Sequence, residues 1–409
     1  MPLITHDAVL LGLLAVTLGL VFWTASGPTP FWKKFYAWIP ALLLCYFIPA
    51  LYNTAGLIDA SQSGLYPMAR DYLLPLALVL LTLSIDFKAI LRLGPKALIM
   101  FFTGTAGVVI GAPIAFLLVG WISPSTVDGE VWRGMTTVAG SWIGGGANQA
   151  AMREVFEVDF DMFGRFVAVD ILVGMLWMAV LLFLSGRAAA IDARTGADTQ
   201  AIEDLKQRVE AFQAEHARIA SLNEVMVILA IGLGATGLAH AIGGPLAAWL
   251  GEVAPQLAHL SLTGRFFWVV VLATTFGLIL SFTRLRHLEG AGASKIGSAG
   301  LYVLIATIGM QMNLGAVFDN PGLFAIGLVW IAIHAGLLLL VAWWIRAPLF
   351  YMAVGSQANI GGAASAPVIA SAFHPSLAPV GVLLAVFGYA LGTYCAWMTG
   401  QLLRLMAGG

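Results

Sequence analysis

Gly140-Ser-Trp-Ile-Gly-Gly-Gly-Ala-Asn-Gln-Ala-Ala151 and Gly355-Ser-Gln-Ala-Asn-Ile-Gly-Gly-Ala-Ala-Ser-Ala366 each break a hydrophobic stretch with consecutive glycines and side-chain amides. In lipid every backbone amide must be satisfied within the protein, so an interruption at membrane depth survives only where protein or a water-filled site surrounds it. Two such breaks in corresponding parts of two halves predict a transport site near the bilayer midplane.

The rest of the chain supplies the membrane. It is 60% hydrophobic and 10% charged, with a mean hydropathy of +0.91, which excludes a soluble globule. Apolar runs of about 20 residues recur end to end, against the alternating, roughly ten-residue strands of an outer-membrane barrel. The fold expected is an all-α polytopic membrane protein with about 12 spans, near 6–25, 36–52, 71–90, 96–120, 131–153, 163–186, 223–243, 263–283, 296–316, 321–346, 350–373 and 376–404. Gly244 to Leu260, interrupted by Glu252, Pro255 and His259, reads as a thirteenth span or an interfacial helix. The run from Ala8 to Thr24 reads as a first span, since no basic residue precedes it. Cys45 and Cys395 lie in apolar runs without metal-ligand spacing.

The only long polar stretch, residues 187–222, mixes both charge signs and reads as a solvated helical linker between an N-terminal repeat (1–186) and a C-terminal repeat (223–409). Aligning Gly140 with Gly355 also matches Ser141 with Ser356, Gly146 with Gly361 and Ala151 with Ala366. Basic residues test the topology. Lys33, Lys34, Lys88, Arg92 and Lys96, and in the second half Arg284, Arg286 and Lys295, mark loops on one, cytoplasmic side. A plain count of 12 spans puts the two sets on opposite sides. The conflict disappears if Gly244 to Leu260 crosses, or if one of the other spans does not, and the repeats are then inverted.

The paired tracts resemble those of an uncharacterised bacterial and plastid membrane family grouped with the cation–proton antiporter and bile-acid/sodium symporter superfamily. The resemblance covers nearly the whole chain. It implies inverted repeats, two broken helices crossing near the bilayer centre, a mobile core against a scaffold, elevator-type alternating access, a homodimer and a bacterial cytoplasmic (inner) membrane. In cation–proton antiporters the helix after the first crossing helix carries an essential carboxylate, and Asp170 resembles it by placement. The neighbouring acid or asparagine of that branch is missing, because residue 169 is Val169.

A broken helix offers free N–H groups to anions and free carbonyls to cations. The candidate binding residues are Ser141, Gly144, Gly145, Gly146, Asn148 and Gln149 in the first tract. Ser356, Gln357, Asn359, Gly361, Gly362 and Ser365 are their counterparts in the second. Asn148, Asp170 and Asn359 are the candidate sodium ligands, being hard oxygen donors. Alternatively, the glycines serve close packing and the amides bond between helices. Asp170, about a third of the way into the span 163–186, is costly there; it is functional, or it pairs with Arg165 or Arg153, or it stays protonated in an apolar setting. His334 is a candidate proton carrier or a hydrogen-bonded packing residue. Arg153 and Glu154 read as a solvated helix end.

No nucleophile triad, paired carboxylates, phosphate loop or His/Cys cluster points to an enzyme. Nothing points to a nucleic-acid partner, and no cofactor is expected beyond sodium or a proton as coupling ion. The leading expectation is a secondary transporter for a small organic, anionic solute, coupled to sodium. A cation/proton antiporter using Asp170 and a non-transporting membrane scaffold are the alternatives.

Overall fold

Apolar runs become helices because a helix satisfies its own backbone in lipid. The structure, a computed structural model, describes residues 4–197, 220–313, 315, 320–374 and 377–408. The first half contains α1 (Asp7–Ala25), α2 (Ala41–Thr54), α3 (Leu65–Leu83), α4 (Pro95–Ile122), α5 (Val131–Val155) and α6 (Phe160–Ser185). The second contains α7 (Leu222–Val253), α8 (Arg265–Ser281), α9 (Ala293–Gly309), α10 (Gly322–Trp344), α11 (Leu349–Ile360), α12 (Gly362–Phe373) and α13 (Ala378–Met406). Among the described residues, seven helices are long and apolar enough to cross a membrane, and counting each bent helix pair as one span raises that to nine. The protein is an all-α polytopic membrane protein. Most of the expected linker, residues 198–219, lies outside the described residues; before it, Ala188–Thr195 is helical.

Two expectations about spans are corrected. Gly244 to Leu260 is not a separate crossing: α7 continues through Pro245 to Val253, and a short 3-10 turn, Pro255–Leu260, follows. The glycine tracts also do not cross. In α5, the Trp132 and Phe156 rings lie 6.0 Å apart, and Arg133 Nη1 donates to the Phe156 carbonyl at 3.0 Å. A continuous helix of that length would separate its ends by roughly 35 Å. A Cβ built on Gly140 would lie 2.5 Å from the Asn148 carbonyl oxygen, so α5 is two antiparallel arms folded at Gly145. Likewise, Phe350 at the start of α11 meets Phe373 at the end of α12, with ring centroids 5.4 Å apart. Both tracts are broken helices, as expected, but the arms return instead of continuing. We call them hairpin 1 (α5) and hairpin 2 (α11 and α12).

The hairpins open on opposite faces. Hairpin 2 begins beside the start of α4, where Lys96 Nζ donates to the Arg346 carbonyl at 3.1 Å. Hairpin 1 begins beyond the far end of that 28-residue helix. The helices long and apolar enough to cross are α1, α3, α4 and α6 in the first half and α7, α10 and α13 in the second, with α2 and α8 each part of a bent pair that reaches the same length. The basic loops that follow α3 and α8 share a face, where the Asp86–Arg286 ion pair joins them directly. The charge conflict is thus resolved because the tract expected to span at 131–153 does not cross.

The helices sort into two bodies. Helices α4, α6, α10 and α13 pack around both hairpins, while α1, α2, α3, α7, α8 and α9 pack on one another. Contacts between the bodies are sparser and run mainly from α13 and α5 to α3 and α8. Each body takes elements from both sequence halves, so the halves are interleaved.

Candidate transport site

Two glycines set the hairpin tips. Gly145 has φ 70° and ψ −172°, a region accessible essentially to glycine alone, and Gly362 has φ 58°. The tips meet: a Cβ built on Gly362 would lie 3.9 Å from the Gly145 Cα. Tyr389 of α13 sits at this junction, its ring 3.2 Å from a Cβ built on Gly145 and its hydroxyl bonded to the Ala363 backbone. A Cβ on Gly146 would face Leu301 and Ile305 of α9 at 3.9 and 3.8 Å, so hairpin 1 touches the other body at its tip. Each tip joins the carbonyl end of one arm to the N–H end of the next, which places both partial charges at mid-depth.

Asp170 reaches hairpin 1 from α6. Its carboxylate is 5% exposed and accepts from Ser141 Oγ at 2.7 Å, Trp142 Nε1 at 2.6 Å and Gln149 Nε2 at 2.9 Å. All three donors are neutral, and no ion pair forms between Asp170 and a described cation. Arg153, one of the expected partners, engages Glu154. Gln149 also lies 3.4 Å from the Tyr46 hydroxyl of α2, in the other body.

The two asparagines have a different task. Asn148 Nδ2 donates to the Gly144 carbonyl at 3.0 Å and the Tyr389 carbonyl at 2.9 Å, and its Oδ1 accepts from Thr393 at 2.6 Å. Asn359 repeats this set on α4, with Gly355 at 2.9 Å, Phe101 at 3.0 Å and Thr105 at 2.8 Å. In each case the threonine stands four residues after the accepting carbonyl. Each amide thus staples one hairpin to one crossing helix. The candidate sodium ligands Asn148, Asp170 and Asn359 fall in three separate hydrogen-bond sets.

Ser356 joins His334 instead of Asp170. His334 Nδ1 faces the Gly104 carbonyl at 3.0 Å, and Nε2 lies 2.8 Å from Ser356 Oγ, which also accepts from Trp177 Nε1 at 2.8 Å. A neutral imidazole satisfies this arrangement, with Nδ1 donating and Nε2 accepting. Gln357 Nε2 donates to Ser365 Oγ at 2.7 Å across hairpin 2. The structure therefore brings Ser141, Gln149 and Asp170 together, and separately Gln357 and Ser365 beside Gly361 and Gly362. Trp142, Tyr389, Thr105, Thr393, Tyr46 and Trp177 were missed; only Trp142 lay inside a tract where it could have been noticed.

A family model described as "Protein of unknown function (DUF819)" matches residues 12–406. The chain belongs to that family. It is also similar to the "Uncharacterized membrane protein YjcL" of Bacillus subtilis (strain 168), with 25% identity over 355 residues, 86% of each chain.

In this DUF819 member, the end of hairpin 1 also corrects an expectation. Arg153 and Glu154 do not form a solvated helix end: Arg153 is 8% exposed, stacks 3.6 Å over the Phe160 ring, and binds Glu154 and the Tyr66 hydroxyl. Arg70 Nε approaches Glu154 at 3.8 Å. Tyr66 and Arg70 belong to α3, so this buried cluster joins the two bodies at the mouth of hairpin 1.

Proposed function

We propose that this protein is a secondary transporter that moves a small organic, anionic solute, coupled to sodium. The reading is carried by one observation: two hairpins opening on opposite faces meet tip to tip beside a buried carboxylate. Paired helix ends there suit an anionic group and a small cation, and polar backbone at such depth is tolerated only around a site or within protein. Alternating access follows if the body holding the hairpins slides as an elevator against the body of α1–α3 and α7–α9, whose contacts with it are sparser. The positive-inside rule directs the basic face to the cytoplasm of a bacterial inner membrane. A second copy would pack on the small-residue seam of α7, where the exposed Gly234, Gly237, Ala241, Ala248 and Gly251 and the half-buried Gly244 recur at three- and four-residue spacing. The likeness to the cation–proton antiporter and bile-acid/sodium symporter superfamily belongs to this proposal, although the hairpins depart from its crossing helices.

The test is uptake of labelled carboxylates into proteoliposomes under an inward sodium gradient. Accumulation that collapses when the gradient is dissipated supports the reading; its absence across solute classes overturns it. Asp170 favours a second reading, cation/proton antiport, because its carboxylate has no cation partner among the described residues. Sodium-driven proton movement that vanishes in Asp170→Asn, with no solute uptake, would select it.

A further inference from the structure

Gln357 is 2% exposed. Its amide nitrogen is used by Ser365, while its Oε1 is buried without a hydrogen-bond partner among the described residues. An unpaired buried oxygen costs stability, and a protein retains that cost where function requires it. The amide nitrogen of Gln357 leads to an oxygen, the Ser365 hydroxyl. A Cβ built on Gly361 would overlap Gln357 Nε2 at 2.3 Å and Ser365 Oγ at 1.7 Å, so glycine there leaves the room the pair needs. The last helical bond of α11 runs from the Gly361 N–H to the Gln357 carbonyl at 2.9 Å, and the carbonyls of Ala358, Asn359 and Ile360 have no helical partner beyond it.

We propose that hairpin 2 holds a sodium-sized alkali cation between Gln357 Oε1, Ser365 Oγ and the last carbonyls of α11, at a site separate from Asp170. Hard, neutral oxygens select an alkali cation over soft metals, and the lack of a carboxylate in this set argues against a divalent ion. Asp170 is not part of the set, because its oxygens are taken by Ser141, Trp142 and Gln149 of hairpin 1. The site rests on the transporter reading for its purpose, but not for its existence: an ion would be coordinated here whether or not a solute follows it.

The experiment is thermal unfolding of the full chain in detergent, titrated with sodium chloride against choline chloride at constant ionic strength. Sodium should raise the midpoint of the wild type and choline should not. Gln357→Met removes the unpaired oxygen at similar volume, so it should need at least tenfold more sodium for the same shift. Gln357→Glu keeps an oxygen in place and should retain the shift, which also guards against a Met variant that fails to fold. Asp170→Asn should retain the part of the shift that Gln357→Met loses. A Gln357→Met variant with wild-type sodium dependence overturns the site. So does a Gln357→Glu variant that loses the shift, because the amide nitrogen would then be the working end. Proton-driven solute uptake with no sodium shift overturns this site and leaves a transporter. A sodium shift lost in Gln357→Met, with no uptake of any solute, leaves this site and overturns the transporter.

Discussion

Asp170→Ala and Asp170→Asn should differ sharply in stability, although both remove the charge. In Asp170→Ala the three donors now aimed at the carboxylate lose their acceptor. Ser141 can turn its hydroxyl to a carbonyl of the preceding helical turn. The Trp142 indole and the Gln149 amide nitrogen have Asp170 as their acceptor and are left unpaired. Each unsatisfied buried donor costs about 1–3 kcal/mol, so Asp170→Ala should lose about 2–6 kcal/mol. In Asp170→Asn the new Oδ1 still accepts from Trp142, the new amide donates to Ser141, and Gln149 rotates to present its oxygen. That variant should lie within about 1 kcal/mol of wild type, since the bonds are kept and a buried carboxylate without a cation partner is removed. Thermal unfolding of both purified variants, beside uptake in proteoliposomes, separates the effects: Asp170→Asn folded but inactive, Asp170→Ala inactive and destabilised. If the two melt alike, the three hydrogen bonds do not hold hairpin 1 to α6, and the account of the site is wrong.

Other perturbations test the hairpins and the loops. Gly145→Ala forces an L-residue into a region reserved for glycine and against the Tyr389 ring, and should cost about 1–3 kcal/mol by thermal unfolding. In a double-mutant cycle, Asn359→Ala and Thr105→Val should couple by about 0.5–3 kcal/mol, because they share one bond; additive effects would refute the staple. Single cysteines at Glu130 and Glu157 should label from the same face with an impermeant maleimide, and one at Arg346 from the opposite face, whereas a crossing α5 would separate the first two. Burial raises the Asp86 carboxyl, but the Ala89 amide and the Arg286 guanidinium outweigh it and hold the group below the ordinary carboxylate range. Its stabilising contribution is therefore complete above that range and lost as pH falls through the folded-state value. Arg286→Ala should flatten this acid limb in a pH series of melting curves.

Much of this could be read from the chain, and the failures have physical causes. Mean hydropathy and run length gave the class, and the glycine–amide tracts marked the helix breaks. Their course could not be read from length, because two 12-residue arms, as in α11 and α12, occupy as much sequence as one crossing. The visible trace of re-entry was electrostatic: Lys88 and Arg286 refused to fall on opposite sides of a 12-span count. Asp170 stood out because an acid is rare at that depth, but its partners did not, since serine, tryptophan and glutamine carry no signal in isolation. The staples were hidden for another reason. Thr393 and Tyr389 lie more than 200 residues from Asn148, and nothing local marks either as its partner.

The interleaving of the halves also fixes when this molecule can become complete. Hairpin 1 leaves the ribosome long before α13, yet Asn148 waits for a carbonyl 241 residues downstream and a threonine 245 residues downstream. Throughout that interval the first glycine tract must be sheltered by the insertion machinery or by early neighbours such as α6. The staple of hairpin 1 therefore cannot close until α13 has been made and docks against it. A nascent chain stalled before Tyr389 would present an unstapled polar hairpin in the bilayer, the kind of defect that membrane quality-control proteases can read.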